Sequence, residues 1–228
     1  MRTGPHYWPV AGRFVVAFLL FIALIGAMIA INIASYAYTR LGLSAPWIFS
    51  ILIASVLGSW FNIPVARLGG NAVYEPMVVS VYGMLYVVPA WTRAETKIVA
   101  VNVGGAVIPT GLTAYLVVHA RLGWQAALAT ALVTVVVHAV ARVVPGVGIV
   151  VPTLMPAAAA AIVVWIMHAP SAAALAYVCG TMGTLIGADL LNLPRVRDLE
   201  APVVSIGGAG TFDGIFVNGI LAVILATL

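Results

Sequence analysis

The sequence predicts an all-α integral membrane bundle of about seven transmembrane helices, with a β-hairpin or re-entrant element at residues 77–103. Three observations predict this class: the composition, the apolar runs and the placement of positive charge. Of 228 residues, 64% are apolar and 7% are charged, whereas a soluble domain carries about 25% charged residues. So few charged groups cannot cover the surface of a soluble protein of this size. Residues 1–228 are therefore predicted to form a single transmembrane domain.

Seven apolar runs approach or exceed the length of a membrane crossing, which needs about 20 residues at about 1.5 Å each. The predicted spans are residues 14–38, 46–63, 98–119, 124–141, 147–167, 171–193 and 203–228. The first run is too long for the apolar part of a signal peptide, so it is predicted to be a retained helix.

Residues 77–89, MVVSVYGMLYVVP, are ambiguous. As a helix this stretch would cover only about 20 Å, and its valines and tyrosines favour a strand. Residues 96–103, TKIVAVNV, are also β-branched and partly alternating. The two stretches together predict the β-hairpin.

The distribution of Lys and Arg along the chain indicates that residues 77–89 do not cross the membrane. If it crosses, the ten Lys and Arg divide four inside against six outside. If it does not, eight lie on the side of the N-terminus, and only Arg40 and Arg121 lie on the other. Since positive residues in short loops stay in the cytoplasm, we predict a cell-membrane protein with a cytoplasmic N-terminus and an external C-terminus.

Two of the six acidic residues, Asp189 and Asp213, lie inside apolar runs. A carboxylate in a membrane segment costs free energy, so each such residue is treated as a candidate functional residue. The other four fall in predicted loops, where water can solvate them: Glu75, Glu95, Asp198 and Glu200.

The predicted topology places Asp189 and Asp213 near the cytoplasmic side on adjacent antiparallel helices. Asp189 would lie near a helix C-terminus, where the dipole disfavours negative charge, and Asp213 in a first turn, where it favours it. Two such carboxylates can share one proton, as an aspartic protease requires. Two alternatives stay open: Asp213 caps a broken helix while Asp189 faces headgroups, or the aspartates form a cation or proton site.

Other polar residues give weaker signals. Asn102, Asn192 and Asn218 are predicted to form hydrogen bonds between helices. His119 and His138 have no partner at ligand spacing, so no metal site and no cofactor are predicted. The predicted substrate- or ion-binding residues are Gly207, Gly208, Gly210, Asn218 and Asn192. The predicted partners are the lipid bilayer and a transmembrane peptide substrate, and no nucleic acid is predicted.

The carboxyl third, with GADLLNLPRVRD and GGAGTFDG, resembles an uncharacterised prokaryotic family of multi-pass membrane proteins classed as a domain of unknown function. The resemblance extends through VSVYGMLYVVP and VNVGGAVIPT and implies no activity.

The spacing of the aspartates is also partly similar to that of presenilin-type and signal-peptide-peptidase-type intramembrane aspartyl proteases. That likeness implies catalytic roles for Asp189 and Asp213. Ala188 stands where those proteases have Tyr, and Phe212 replaces the second Gly of their Gly-x-Gly-Asp motif. Their Pro-Ala-Leu motif has no counterpart after Asp213.

The first functional hypothesis is a di-aspartyl intramembrane protease-like enzyme, in which Asp189 and Asp213 alternate as general base and general acid. The hairpin at residues 77–103 would offer an edge strand to an unwound substrate. The alternative is a small cation- or proton-coupled transporter or channel with a broken-helix site at residues 207–213. A structural or assembly factor without a site is the third hypothesis.

Overall fold

The structure is a computed structural model that describes residues 12–69, 78–81, 84–87, 96–144, 148–152, 154–198, 203–208 and 214–228. Within these ranges the chain is mainly helical. The α-helices are α1 (Gly12–Arg40), α2 (Ala45–Gly58), α3 (Ile108–His119), α4 (Gly123–Val140), α5 (Met155–Met167), α6 (Ala172–Thr184) and α7 (Gly214–Ala226). The predicted helical class is therefore confirmed, and each of the seven predicted runs overlaps one of these helices.

Three helical segments in the described part of the chain are long and apolar enough to cross a membrane: Val15–Arg40, Gly123–Val140 and Ala172–Arg195. The remaining apolar helices have 10–17 residues, fewer than the roughly 20 that a crossing needs. Seven complete transmembrane helices are therefore not confirmed.

Some of the predicted apolar runs contain a strand as well as a short helix. The strands are β1 (Asn62–Gly69), β2 (Val78–Val81), β3 (Met84–Val87), β4 (Thr96–Asn102), β5 (Arg142–Val144), β6 (Gly148–Val150) and β7 (Val203–Ile206). Strand β4 occupies the start of the predicted span 98–119, and β7 the start of 203–228. Residues 96–103 were predicted to be extended, and strand β4 confirms this over Thr96–Asn102. Residues 203–206 were predicted to be helical, because a short apolar run can form either a buried strand or a helix.

The central sheet has the strand order β1-β4-β7. Strands β1 and β4 are antiparallel, with Asn62 opposite Asn102, and β4 and β7 are parallel, with Val101 opposite Ile206. Strands β2 and β3 pair with each other. The predicted pairing of residues 77–89 with 96–103 is therefore wrong: the first stretch contains its own hairpin, and the second joins strands from distant parts of the chain.

Helix α6 is the centre of the helical core. Its residues from Ala174 to Thr181 are buried, and it packs against α3, α4, α5 and α7. Glycines permit the close approach: a Cβ at Gly183 would lie 2.5 Å from the Val133 side chain on α4, and one at Gly180 would lie 2.9 Å from Ala222 on α7. Small residues are the usual means of close helix packing in lipid.

Candidate functional site

Asp189 lies where helix α6 changes its geometry. The helix continues beyond Thr184 as a π-helical turn, Leu185–Asp189, and then as a 3-10 helix, Leu190–Asp198. Pro194, the residue after the predicted span 171–193, lies inside the 3-10 segment. Single π-helical turns inside α-helices are rare overall, but many of those known lie at functional sites. Asp189 is the last residue of this π-helical turn.

The carboxylate of Asp189 binds the chain that follows β7. The backbone N–H of Gly207 donates to Asp189 Oδ2 at 3.0 Å. Gly207 has a φ of +71°, which glycine adopts without a steric cost. A Cβ there would also lie 2.7 Å from the Ala106 side chain. The residue must therefore be glycine, and its turn presents the N–H to the carboxylate.

A small hydrophobic cluster holds the same elements together. Its buried members are Val99, Ala106, Leu185, Ile206 and Ile215. Leu185 lies one helical turn before Asp189, and Ile215 lies in the first turn of α7. The start of α7 and the turn that carries Asp189 thus belong to the same hydrophobic cluster.

Asp213 and Gly210, two of the predicted site residues, lie outside the described residues. The described part of helix α7 begins at Gly214, the residue after Asp213 in the sequence. Earlier in the chain, β7 is extended over Val203–Ile206, and Gly207 follows it.

Asn192 occupies the interior of the bend after Asp189. Its side chain is fully buried, and Nδ2 donates to the carbonyl oxygens of Ala188 at 2.9 Å and Gly187 at 3.0 Å. Arg195 Nη1 donates to Asn192 Oδ1 at 3.0 Å. Backbone carbonyls that lose their helical partners need such a substitute in lipid, so Asn192 stabilises the change from π to 3-10 geometry.

His138 on α4 reaches this bend as well. Its Nδ1 lies 3.3 Å from the Gly187 carbonyl oxygen and 3.4 Å from Asn192 Nδ2. The sequence around His138 does not indicate this contact, because the two residues that form it, His138 and Asn192, are 54 positions apart. The described residues contain no group of three or more His, Cys, Asp or Glu that could hold a metal ion.

Asn102 joins the sheet to α2 and to the next helix. Its Oδ1 accepts from the N–H of Gly105 at 2.8 Å, while Nδ2 donates to the Ser59 carbonyl oxygen at 2.7 Å. Asn62 Oδ1 accepts from the Ser205 hydroxyl at 2.5 Å and from Asn102 Nδ2 at 3.2 Å. All three strands of the central sheet are thus tied together by polar side chains next to the Gly207 turn.

Gly208 and Asn218 complete the predicted set. A Cβ at Gly208 would collide with the Ser205 hydroxyl, so glycine is required by close packing. Asn218 on α7 is 4% exposed, and its Oδ1 has no hydrogen-bond partner among the described residues. A buried amide oxygen without a protein partner is unusual.

Apolar helices with the length of membrane spans, one of which carries a partly buried carboxylate, are typical of an integral membrane protein. The family model for a protein of unknown function, DUF1614, matches residues 56–225, and the chain belongs to that family. No curated protein and no solved structure matches the chain. The resemblance to a domain of unknown function is confirmed, and the likeness to intramembrane aspartyl proteases stays a prediction.

Proposed function

We propose that this protein is a di-aspartyl intramembrane protease-like enzyme with Asp189 and Asp213 as its catalytic pair. The observation that carries the proposal is the hydrogen bond from the Gly207 N–H to the Asp189 carboxylate. This bond attaches the Asp189 side chain to the segment of chain that leads to Asp213. Leu185 and Ile215 belong to one buried cluster, which supports the same pairing, since these residues lie close in sequence to the two aspartates.

In this mechanism one aspartate, as a carboxylate, removes a proton from the water that attacks the peptide carbonyl carbon, while the other, as a carboxylic acid, gives its proton to the amide nitrogen as the C–N bond breaks. The Gly207 N–H engages only Oδ2 of Asp189, which leaves Oδ1 for water or for the second carboxylate. The backbone donor orients the side chain without itself taking or giving a proton.

Strand β7 suits the presentation of an unwound substrate to Asp189. In the described part of the chain it pairs with β4 along one edge, and it ends one residue before Gly207. A peptide added to its other edge by backbone hydrogen bonds would run directly toward the carboxylate. This role replaces the one that the sequence suggested for the hairpin at residues 77–103.

The test is cleavage of fluorogenic transmembrane peptides by the full-length protein in liposomes. The wild type is expected to cleave at least one peptide of the panel, and Asp189→Ala and Asp213→Ala to cleave none. Asp198→Asn is the matched control, a carboxylate nine residues beyond Asp189 that the mechanism does not use. No cleavage by the wild type, or undiminished cleavage by Asp213→Ala, would contradict the proposal.

A cation- or proton-coupled transporter is the second candidate, and the unpartnered Oδ1 of Asn218 favours it. Broken helices in transporters expose backbone carbonyls and amide oxygens to ions near the membrane interior. The same liposomes distinguish the candidates. Ion uptake that Asn218→Leu abolishes, in a preparation that cleaves no peptide, would replace the protease proposal with this one.

The proposed topology places the N-terminus and residues 93–97 on the cytoplasmic side. Eight of the ten Lys and Arg residues then lie on the cytoplasmic side, in agreement with the positive-inside rule. Single cysteines at Thr3 and Thr92, introduced after replacement of the buried Cys179, are expected to react with an impermeant thiol reagent from the same side. Labelling from opposite sides would mean that the stretch 77–89 crosses the membrane.

A further inference from the structure

Helices α1, α2 and α7 enclose a partly open groove with a volume of about 550 Å³. We refer to it as the α1 groove. Its walls include Ala30 and Ala34 on α1, Phe49 and Leu57 on α2, and Phe216 and Leu221 on α7. Every residue that lines it, among those that the structure describes, is Ala, Val, Ile, Leu or Phe. A molecule in the groove can therefore form no hydrogen bond with a lining side chain, so the matching ligand is itself apolar.

The groove lies where α1 separates from the other helices. Near the end of α1, Ala34, Ala37 and Tyr38 are buried, whereas residues 15–33 are exposed along their whole length. This helix is also long and apolar enough to cross a membrane, so in a bilayer its exposed residues contact lipid. Ala30 lines the groove and belongs to the exposed part. The α1 groove is therefore continuous with the surface of α1 that lipid covers.

The side chains of the groove suit a flexible hydrocarbon chain better than another helix. Two apolar helices gain no hydrophobic free energy by leaving lipid for each other, so helix pairs in membranes depend on small residues that allow close approach. Two of the lining residues are alanines, and the rest are Val, Ile, Leu or Phe. Their bulk holds a helix backbone at a distance, whereas a hydrocarbon chain is thin and can follow the spaces between branched side chains.

We propose that the α1 groove binds one acyl chain of a membrane phospholipid. A chain in the groove contacts three helices at once, and dispersion attraction sums over all of these contacts. A chain beside the exposed part of α1 contacts that helix alone. The bound chain thereby connects α1 to α2 and α7. The proposal does not depend on the proposed protease activity.

Native mass spectrometry of the full-length protein tests this, because it counts the phospholipids that each molecule retains after purification from membranes in a mild detergent. The wild type is expected to retain one phospholipid through a detergent exchange that removes the others. Ala30→Phe on α1 and Leu57→Trp on α2 each enlarge a side chain of the groove wall, and both are expected to lose this phospholipid. Ala17→Phe is the matched control, at an exposed residue of α1 that does not line the groove.

Three results would overturn the proposal. The first is a wild type that retains no phospholipid, and the second is retention by both groove variants equal to that of the wild type. The third is loss from Ala17→Phe as well, which would place the lipid elsewhere on α1. The same spectra report the oligomeric state. A lipid-free dimer of the wild type that Ala30→Phe dissociates would show that a second copy of the chain occupies the groove instead.

The melting temperature gives a second test, since a ligand that binds only the folded state stabilises it. Addition of phospholipid to the delipidated wild type and to Ala17→Phe is expected to raise the melting temperature. Ala30→Phe and Leu57→Trp are expected to respond less, because the enlarged side chain takes the place of the acyl chain. An equal rise for the wild type and both groove variants would mean that lipid stabilises the protein outside the α1 groove, contrary to the proposal.

Discussion

Asp189→Asn is expected to abolish peptide cleavage while leaving the thermal stability of the protein nearly unchanged. An asparagine at this position retains an oxygen that can accept the hydrogen bond from Gly207, but it can no longer exchange a proton. General acid–base groups contribute about 10²–10⁴-fold to rate, so cleavage should fall by at least about 100-fold. Initial rates of peptide cleavage in liposomes measure this.

Asp189→Ala separates the structural role of the carboxylate from its chemical role. This variant should lose cleavage too, but it also leaves the buried Gly207 N–H without its acceptor. Loss of a buried partner costs about 1–3 kcal/mol, and the melting temperature should fall accordingly. If Asp189→Asn cleaves at the wild-type rate, Asp189 positions Gly207 and has no part in proton transfer.

The membrane class was predictable because it depends on composition, which no tertiary contact alters. The positions of the helices followed from the same apolar runs. Strand β4 was predictable from the β-branched residues 96–103, but its partners were not, because they lie in distant parts of the sequence. Strand β7 was not predictable, because Val203 begins a run whose hydropathy continues without a break into helix. Only its parallel pairing with β4 distinguishes extended from helical chain there.

The candidate site was predictable where local chemistry marks it. A carboxylate is costly inside a membrane segment, so Asp189 stands out in the sequence, and Gly207 belongs to the Gly-rich run GGAG, which is a poor helix former. His138 does not stand out, because its contact with Gly187 arises from the packing of α4 on α6. The hydrogen bond between Asp189 and Gly207 also depends on β7, whose position is set by pairing with a strand about 100 residues earlier.

Gly104 is the glycine whose replacement is expected to disturb the fold most. It lies in the π-helical turn Val103–Val107, between β4 and α3, and it faces the end of α2. A Cβ at Gly104 would overlap the backbone carbonyl oxygen of Ser55 and the backbone nitrogen of Ser59. Backbone atoms cannot turn aside as a flexible side chain can, so Gly104→Ala must push α2 away from the turn.

Forced overpacking of a close contact costs about 1–3 kcal/mol and occasionally more, so Gly104→Ala should lower the melting temperature in detergent. Gly111→Ala on α3 is the matched control, since nothing lies within 4 Å of its Cβ position and alanine favours a helix by up to about 1 kcal/mol. Cleavage should also fall in Gly104→Ala, because the displaced turn continues β4, which holds β7 beside Asp189. Equal melting temperatures for the two variants would show that α2 and the turn can separate without loss, and that the sheet alone fixes the site.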